Sequence, residues 1–337
     1  MHKTLRTCAQ LLKEYRESGL SGQSNGNKGK KLNFLSGEDF LGKDGKKKDI
    51  YNITAPFEWE GKVYLAGRVE ERESEYSQAV FFERRTEGWA PVLQAPVLKL
   101  QDPFVTKIDG FLVVGGVEVF PDRANKDRLC WRTVFYKGAR LSGLAEFLKG
   151  PEGMKDIRLL QLRDGRILTA VRPQGEMGGR GKIGFIIVER LEELTKERIQ
   201  AAPVLNGQFI NEEWGGCNEM HLLSNERVGI LSHIACFDKA GNRHYYATCF
   251  TYDVDTGEFT PMKLISERRD FAPGESKRPD LEDVIFSGGL VRRKDGKAEL
   301  YCGVGDAEAQ MRVIEDPFEA TERIKAAEGK KQCFKKE

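Results

Sequence analysis

Residues 102–118 read Asp-Pro-Phe-Val-Thr-Lys-Ile-Asp-Gly-Phe-Leu-Val-Val-Gly-Gly-Val-Glu. A polar residue opens a short β-branched run. Asp109-Gly110 then reverses the chain, and a second apolar run ends on a charge. That is the signature of a β-hairpin. The pattern recurs along the chain. Asn52 leads through Glu60-Gly61 to Arg68 and Glu70. Asp156 leads through Asp164-Gly165 to Arg172, and Asn218 through Asn225-Glu226 to His233. A fifth copy is read from Asp283 through Asp295-Gly296 to Asp306. In the first three copies the closing charge stands 16 residues after the opening one, and in the fourth 15. Unrelated hairpins do not hold such an interval.

Repeats of this period, each built from short strands, are blades of a β-propeller. The expected fold is therefore all-β: a five-bladed β-propeller over residues 49–314. In a radial array the polar ends of the inner strands crowd around one axis. Asn52, Arg68, Glu70, Asp102, Glu118, Asp156, Arg172, Asn218, His233, Asp283 and Asp306 are then expected to line one pocket. A plainer reading makes them turn and cap residues, since Asp and Asn favour turns. Arg172 and His233 do not fit that reading.

Outside the repeats the pattern changes. Residues 4–17 carry Leu5, Cys8, Leu11, Leu12 and Tyr15 at helical spacing. Residues 21–31 are rich in Ser, Gly, Asn and Lys and read as a flexible connection, so residues 1–48 form an N-terminal helix and linker. Asp316-Pro317 sets up a short C-terminal helix in the segment 315–337. Lysines between Lys28 and Lys48 are interrupted by acids and read as a solvated face.

Composition narrows the function. The 337 residues are 39% apolar and 31% charged, which suits a globular chain. Lys+Arg total 54 against 52 Asp+Glu, a net charge of +2. No global basic field exists for nucleic acid, so any anion site is local. No apolar run approaches the roughly 20 residues of a membrane span, and no secretory signal is apparent. Seven cysteines without a CxxC pair argue for reduced thiols and a cytoplasmic location, and against structural zinc. Gly179–Gly184 matches GxGxxG but precedes a strand rather than a helix, so it is not read as a nucleotide loop.

A ring of carboxylates and amides suits a ligand with many hydroxyls, that is, carbohydrate. A carboxylate in such a site can act as general acid. Arg and His on the facing wall would hold an oxyanion such as phosphate. An acid facing a bound phosphate is a geometry for inverting glycosyl transfer.

These residues resemble a known family. LQDPFVTKIDG (100–110) resembles the EDPR-(V/I)-T-K-x-x-G segment of glycoside hydrolase family 130, the mannoside phosphorylases, which are five-bladed propellers. GRVEER (67–72) is similar to its RVED segment, and MKDIRLLQLRDGRILTAVRP (154–173) to its KD-x-x-LFP…HRP segment. GILSHIACFD (229–238) resembles its YHG segment, and DVIFSGGLV…LYCGVGDAE (283–308) its VVFPCG…YYGAADT end. With YNITAPF (51–57) and the N-terminal helix, the chain is closer still to the domain-of-unknown-function 1861 group. That group is similar to dual-activity β-1,2-mannosyltransferase/phosphorylases.

The resemblance implies mannosyl transfer between β-1,2-mannosides and phosphate, or a nucleotide sugar such as GDP-mannose. Asp102 falls on the general acid, which in that family acts through a sugar hydroxyl. Arg172 and His233 fall on phosphate contacts, and His221 on the place of a phosphate-binding lysine. Lys155 and Arg158 extend the same wall. Asn52, Arg68 and Asp306 fall on sugar-contacting positions. Phe104 replaces the arginine of EDPR and Gln101 its glutamate. No metal or organic cofactor is implied, with phosphate or mannose 1-phosphate as co-substrate. Neither a nucleic acid nor a membrane is an expected partner, and a homo-oligomer is compatible with the reading. Two alternatives stand beside it: a phosphate-independent hydrolase with Glu118 or Glu219 as base, and a non-catalytic carbohydrate-binding propeller.

Overall fold

The computed structural model describes residues 5–22, 26–37 and 40–323. The chain is mostly β-strand with few helices. The longest helix among the described residues, Cys8–Glu17, starts at a reciprocal cap: the Gln10 N–H donates to Thr7 Oγ1, and the Thr7 N–H to Gln10 Oε1. Cys8, Leu11 and Tyr15 recur at helical spacing and form its buried face.

Strands Asp49–Tyr51, Lys62–Glu70, Gln78–Arg84 and Trp89–Pro91 form the first sheet, with Phe57–Trp59 paired on Lys62–Glu70. Gln101–Ile108, Phe111–Pro121, Leu129–Gly138 and Ala145–Lys149 form the second. The third has only three strands: Arg158–Gln161, Ile167–Val171 and Gly184–Val188. Where a fourth strand would follow, the short helix Lys196–Gln200 intervenes and one bridge remains, Gly184 to Val204. An eight-stranded sheet holds the remainder in two halves. Trp214–Leu222, Val228–Phe237, Arg243–Tyr252 and Lys263–Ser266 make the first half; Asp283–Arg292, Lys297–Val304, Glu308–Glu315 and Lys30–Lys31 make the second. Two parallel pairs join them, His244 to Asp283 and Tyr245 to Val284.

Turn chemistry sets the hairpins. Glu60-Gly61 and Asp109-Gly110 both take positive φ at both residues, which matches the twist of the flanking strands.

The apolar residues gather between sheets rather than on one plane. One cluster sets Tyr64 and Ala66 of the first sheet against Leu112 and Val114 of the second. A second sets Phe104 and Val113 against Ile167 and Val188 of the third. Leu168 and Phe185 of the third meet Ile230 and Phe250 of the next unit, with Cys8, Leu11 and Tyr15 of the helix added. Leu231 and Cys249 meet Ile285 and Leu300 across the eight-stranded sheet. Finally Tyr301 and Ala309 return to Leu65 and Phe82 of the first sheet. The packing therefore closes on itself.

A seam runs along that closure. Within the stretch read as a linker, Lys30–Lys31 pairs with Gln310 and Met311 of strand Glu308–Glu315, and Phe34 bridges Trp89. The segment covers a strand edge that would otherwise stand unpaired.

Candidate active site

The start of each inner strand is locally irregular, and that irregularity makes the site. Asn52, Asp102 and Asp156 all take left-handed backbone, with φ of 42°, 47° and 58°. Short polar side chains tolerate this region better than others do. At Asn218 the register of strand Trp214–Leu222 shifts between Cys217 and Glu219. In the next unit it shifts between Ser287 and Gly289.

Contacts pass from one start to the next. Asn52 Nδ2 donates to Asp102 Oδ1 at 2.7 Å. The Arg158 guanidinium lies 4.7 Å over the Phe104 ring, and its Nε donates to the Asn218 carbonyl at 2.8 Å. Asn218 Nδ2 donates to the Ser287 carbonyl at 2.6 Å. A Cβ on Gly288 would stand 1.6 Å from the Ile53 carbonyl oxygen, so that close approach requires glycine. Farther along the same strands a cavity of about 160 Å³ is lined by Thr54, Phe104, Arg158, Glu219 and Gly288, among others, and neither Asp102 nor Arg172 borders it.

On one side of the ring is an acid held by cations. Arg68 Nη1 reaches Asp102 Oδ1 at 3.2 Å, so both bonds to Asp102 fall on that oxygen. Oδ2 takes no hydrogen bond among the described residues. Arg68 is itself held by Glu70, at 2.9 Å from its Nη2. Glu70 also accepts from Tyr51 and Ser77, and from Lys277 Nζ at 2.5 Å. Burial opposes its charge, but Arg68 and these donors hold its carboxyl below the usual range. Asp306 lies close enough to feel Arg68 and Asp102. Desolvation pushes its carboxyl up, Arg68 opposes this, and the Asp102 charge adds to it.

On the other side is a cationic cluster. Arg172 Nη1 stands 3.3 Å from Asp156 Oδ2, and Nε donates to the Gly215 carbonyl at 2.8 Å. Arg172 Nη1 is buried and makes no hydrogen bond among the described residues. Burial opposes the charge of Asp156; the Arg172, Lys155 and Arg158 cations together hold its carboxyl low. Lys155 is half-buried and forms no ion pair among the described residues. His233 Nδ1 bonds Asn218 Oδ1 at 2.7 Å. Asn218 Nδ2 already donates to Ser287, so Oδ1 is the acceptor and Nδ1 carries the proton. The neutral ring thus presents the Nε2 lone pair to the site. Burial, with the Arg172 cation, drops His233 to about 3 against the pull of Asp156. Gly216 sits among these groups: a Cβ there would meet His233 at 2.8 Å, Asp156 at 2.9 Å and Arg172 at 3.0 Å.

The structure thus gathers Asn52, Arg68, Glu70, Asp102 and Asp306 on one side and Lys155, Asp156, Arg158, Arg172, Asn218 and His233 on the other. Three expected residues are not brought there. Glu118 is one residue out of step. Val117 stands opposite Gln101 as Arg68 stands opposite Tyr51, so Val117 takes the inward place. Glu118 turns away and pairs with Arg132 Nε at 2.7 Å. His221 lies five residues beyond Gly216, roughly 16 Å along the strand. There it faces Glu219 at 2.8 Å and the Phe318 ring. Asp283 also stays outside, bonded to His244 and Tyr246, because the inner bend of its strand falls later, at Gly288.

Sequence reading missed Tyr51, Ser77 and Lys277 behind Arg68, and Gly216 and Gly288 at the ring. The glycines had a signal. Counted back from the turns, Asn52, Asp102, Asp156 and Asn218 stand eight or nine residues before Gly61, Gly110, Gly165 and Glu226. The same count from Gly296 gives Gly288, not Asp283. Lys277 had none, since it reaches Glu70 from a loop.

A second cleft, of about 510 Å³, opens beside this site and is lined by Glu70, Ser77, Tyr76, Gln101, Val117 and three lysines, Lys43, Lys48 and Lys99, among others.

No curated protein sequence matches the chain. A mannose phosphorylase from Leishmania mexicana, solved with phosphate ion, is 33% identical, with 92% of this chain and 94% of that one covered and a TM-score of 0.79. A GDP-Man-dependent mannosyltransferase from the same organism is 31% identical, with 93% and 95% covered and a TM-score of 0.80. A β-1,2-mannobiose phosphorylase from Listeria innocua shares the fold at 13% identity, with 80% and 90% covered and a TM-score of 0.57. Residues 28–320 match the profile of the family described as "Protein of unknown function (DUF1861)", and the chain belongs to that family.

Proposed function

We propose that the chain is an inverting enzyme that moves a mannosyl group between a β-1,2-mannoside and phosphate, or a nucleotide sugar such as GDP-mannose. We further read its packing units as five blades of a propeller. The five apolar clusters, each between neighbouring units, support that count.

The observation that carries the chemistry is a pairing across one ring. Asp102 has one carboxylate oxygen fixed by Asn52 and Arg68. On the other side Arg172 keeps a buried N–H without a hydrogen-bond partner among the described residues. Phosphate bound by Arg172, Lys155 and His233 attacks the anomeric carbon. Asp102 Oδ2 gives its proton through a sugar hydroxyl to the departing glycosidic oxygen. The products are a mannosyl phosphate and the shortened sugar; in the reverse direction Asp102 takes the proton back. Asn52, Arg68 and Asp306 hold sugar hydroxyls, and the neighbouring cleft leaves room for further sugar units. Phosphate is a co-substrate, and no other cofactor enters the proposal.

A hydrolase would need a free carboxylate base opposite Asp102. Glu118 is paired with Arg132, and Glu219 accepts the Leu290 N–H at 2.7 Å, which argues against either. The test is product analysis after incubation with β-1,2-mannobiose, with and without phosphate, and with GDP-mannose offered separately. Mannosyl phosphate formed only with phosphate, or a longer mannoside from GDP-mannose, is expected. Free mannose at equal rate without phosphate would make the enzyme a hydrolase. Tight mannoside binding with no turnover would make it a binding protein.

A further inference from the structure

The cleft of about 510 Å³ borders the acid side of the ring, since Glu70 and Ser77, which both hold Arg68, also line it. On the mannosyl-transfer reading, on which this inference rests, that position has a meaning. Phosphate attacks from the side of Arg172, and Asp102 serves the departing oxygen. The departing sugar, which is the acceptor in synthesis, therefore lies with Asp102 and the cleft beside it.

That cleft is cationic. Lys43 and Lys48, from the stretch read as a solvated face, meet Lys99 there. Their ammonium groups form no ion pair or hydrogen bond among the described residues. Two carboxylates line the same space, Glu70 and Glu71. Glu70 is already answered by Arg68 and by Lys277 Nζ at 2.5 Å, which leaves three ammonium groups to one carboxylate. A neutral sugar gains little from such a wall, whereas an anion is drawn to it.

An aromatic ring borders the same space. Tyr76 keeps 58% of its surface exposed. Its loop is nevertheless fixed. Lys277 Nζ donates to the Ser74 carbonyl at 2.6 Å, Arg278 Nη1 reaches Glu75 at 3.2 Å, and Gln101 Nε2 donates to the Glu75 carbonyl at 2.8 Å. The Tyr76 N–H itself donates to Ser74 Oγ at 2.9 Å. A ring on a held backbone offers an apolar face to a pyranose at small cost in ordering.

We propose that this cleft binds an acceptor sugar bearing a phosphate group, with the pyranose against Tyr76 and the phosphate among Lys43, Lys48 and Lys99. Lysine is a compact point charge on a flexible stem, and three of them suit a dianion. In synthesis O2 of the acceptor attacks the anomeric carbon of mannose 1-phosphate, and the C1–O bond to phosphate breaks. The O2 proton passes through a sugar hydroxyl to Asp102 and ends on the released phosphate. The acceptor's own phosphate takes no part in these bond changes and adds only affinity.

The test compares mannose 6-phosphate with mannose as acceptor, with mannose 1-phosphate as donor. Mannose 6-phosphate should show a kcat/KM about tenfold higher at about 50 mM salt, and the advantage should shrink several-fold by about 500 mM, where charge is screened. The triple variant Lys43→Gln, Lys48→Gln, Lys99→Gln should erase most of the advantage, and Lys99→Gln alone part of it. Tyr76→Ala should lower kcat/KM for both acceptors. Calorimetry reads the same preference without turnover: mannose 6-phosphate should bind more tightly than mannose, and the lysine variants but not Arg172→Ala should remove the difference. Equal binding of the two sugars overturns the proposal. So does a difference that Arg172→Ala removes and the lysine variants keep, since the anion then sits at the ring. Mannosylation of mannose with no preference for its 6-phosphate would leave mannosyl transfer standing and remove the cleft's role. Tighter, lysine-dependent binding of mannose 6-phosphate with no product from either acceptor would support the cleft and remove the transfer.

Discussion

The side-chain amide of Asn52 donates to Asp102 Oδ1 at 2.7 Å, from the start of one inner strand to the start of the next. With Arg68 on the same oxygen, the carboxylate has one orientation and one oxygen left for proton transfer. Asp102→Asn keeps the shape and the left-handed backbone but removes the transferable proton. Turnover of β-1,2-mannobiose with phosphate should fall by about 10²–10⁴-fold while the melting temperature is preserved. Asn52→Gly keeps the backbone conformation and removes one hydrogen bond to a charged group, worth about 1.5–3 kcal/mol. It should lower kcat by about ten- to a hundredfold and also raise the mannoside KM, since the same side chain holds a sugar hydroxyl. Normal phosphorolysis by Asp102→Asn would remove that residue from the chemistry.

His233 couples acid stability to the cationic side of the ring. In the unfolded chain its imidazole titrates near its ordinary value, whereas the folded chain drops it to about 3 through burial. Between these values the unfolded chain binds the extra proton. The stability that His233 supports is therefore fully present above about pH 6.5 and is lost as pH falls toward 3. The slope is at most about 1.4 kcal/mol per pH unit. Urea unfolding at pH 7, 6 and 5 should show the wild type losing more stability per unit than His233→Gln. Parallel profiles would mean that the ring is not neutral in the folded chain.

Legibility followed what each position needs. The first four inner starts were readable because left-handed or bulged backbone favours Asn and Asp, which are conspicuous against β-branched runs. The fifth start needs no side chain at all, since the Ile53 carbonyl occupies that space. A search for polar residues therefore slid past Gly288 to Asp283. Glu118 was misread because a period of two makes one residue of slip a change of face. Lys277 was invisible because its loop is non-periodic, though it neutralises Glu70 in the folded chain. For His244, only strand register sets it against Asp283.

The tautomer of His233 selects an anion that carries a proton. With Nδ1 donating to Asn218, Nε2 is an acceptor. It pairs with the P–OH that inorganic phosphate keeps on both sides of its second ionisation, near neutrality. Sulfate carries no proton there and should inhibit weakly. Calorimetry in two buffers of different ionisation enthalpy should show no net proton uptake as phosphate binds above that ionisation. Sulfate that inhibits as tightly as phosphate binds, or about one proton taken up per phosphate, would assign the Nε2 face to something else.

Asp306 trades stability against binding. Its carboxyl is raised, first by desolvation and then by the nearby Asp102 and Glu70 charges, with Arg68 and Lys277 only partly offsetting them. The folded chain therefore holds this proton more tightly than the unfolded chain does. The stability this brings is present below the unfolded pKa, near 4, and is lost as pH rises through the folded value. At neutral pH the charge destabilises the fold. Asp306 also has φ of 51°, which asparagine tolerates. Asp306→Asn should then melt higher than the wild type at pH 7, by about 2–4 °C for each kcal/mol recovered. The gap should narrow as pH falls, because the raised wild-type carboxyl takes up its proton earlier than a free one. The same variant should raise the mannoside KM, because an amide is a weaker acceptor for sugar hydroxyls than a carboxylate. A lower melting point at pH 7 would show that Arg68 and Lys277 outweigh the desolvation, and that the charge is part of what holds the ring together.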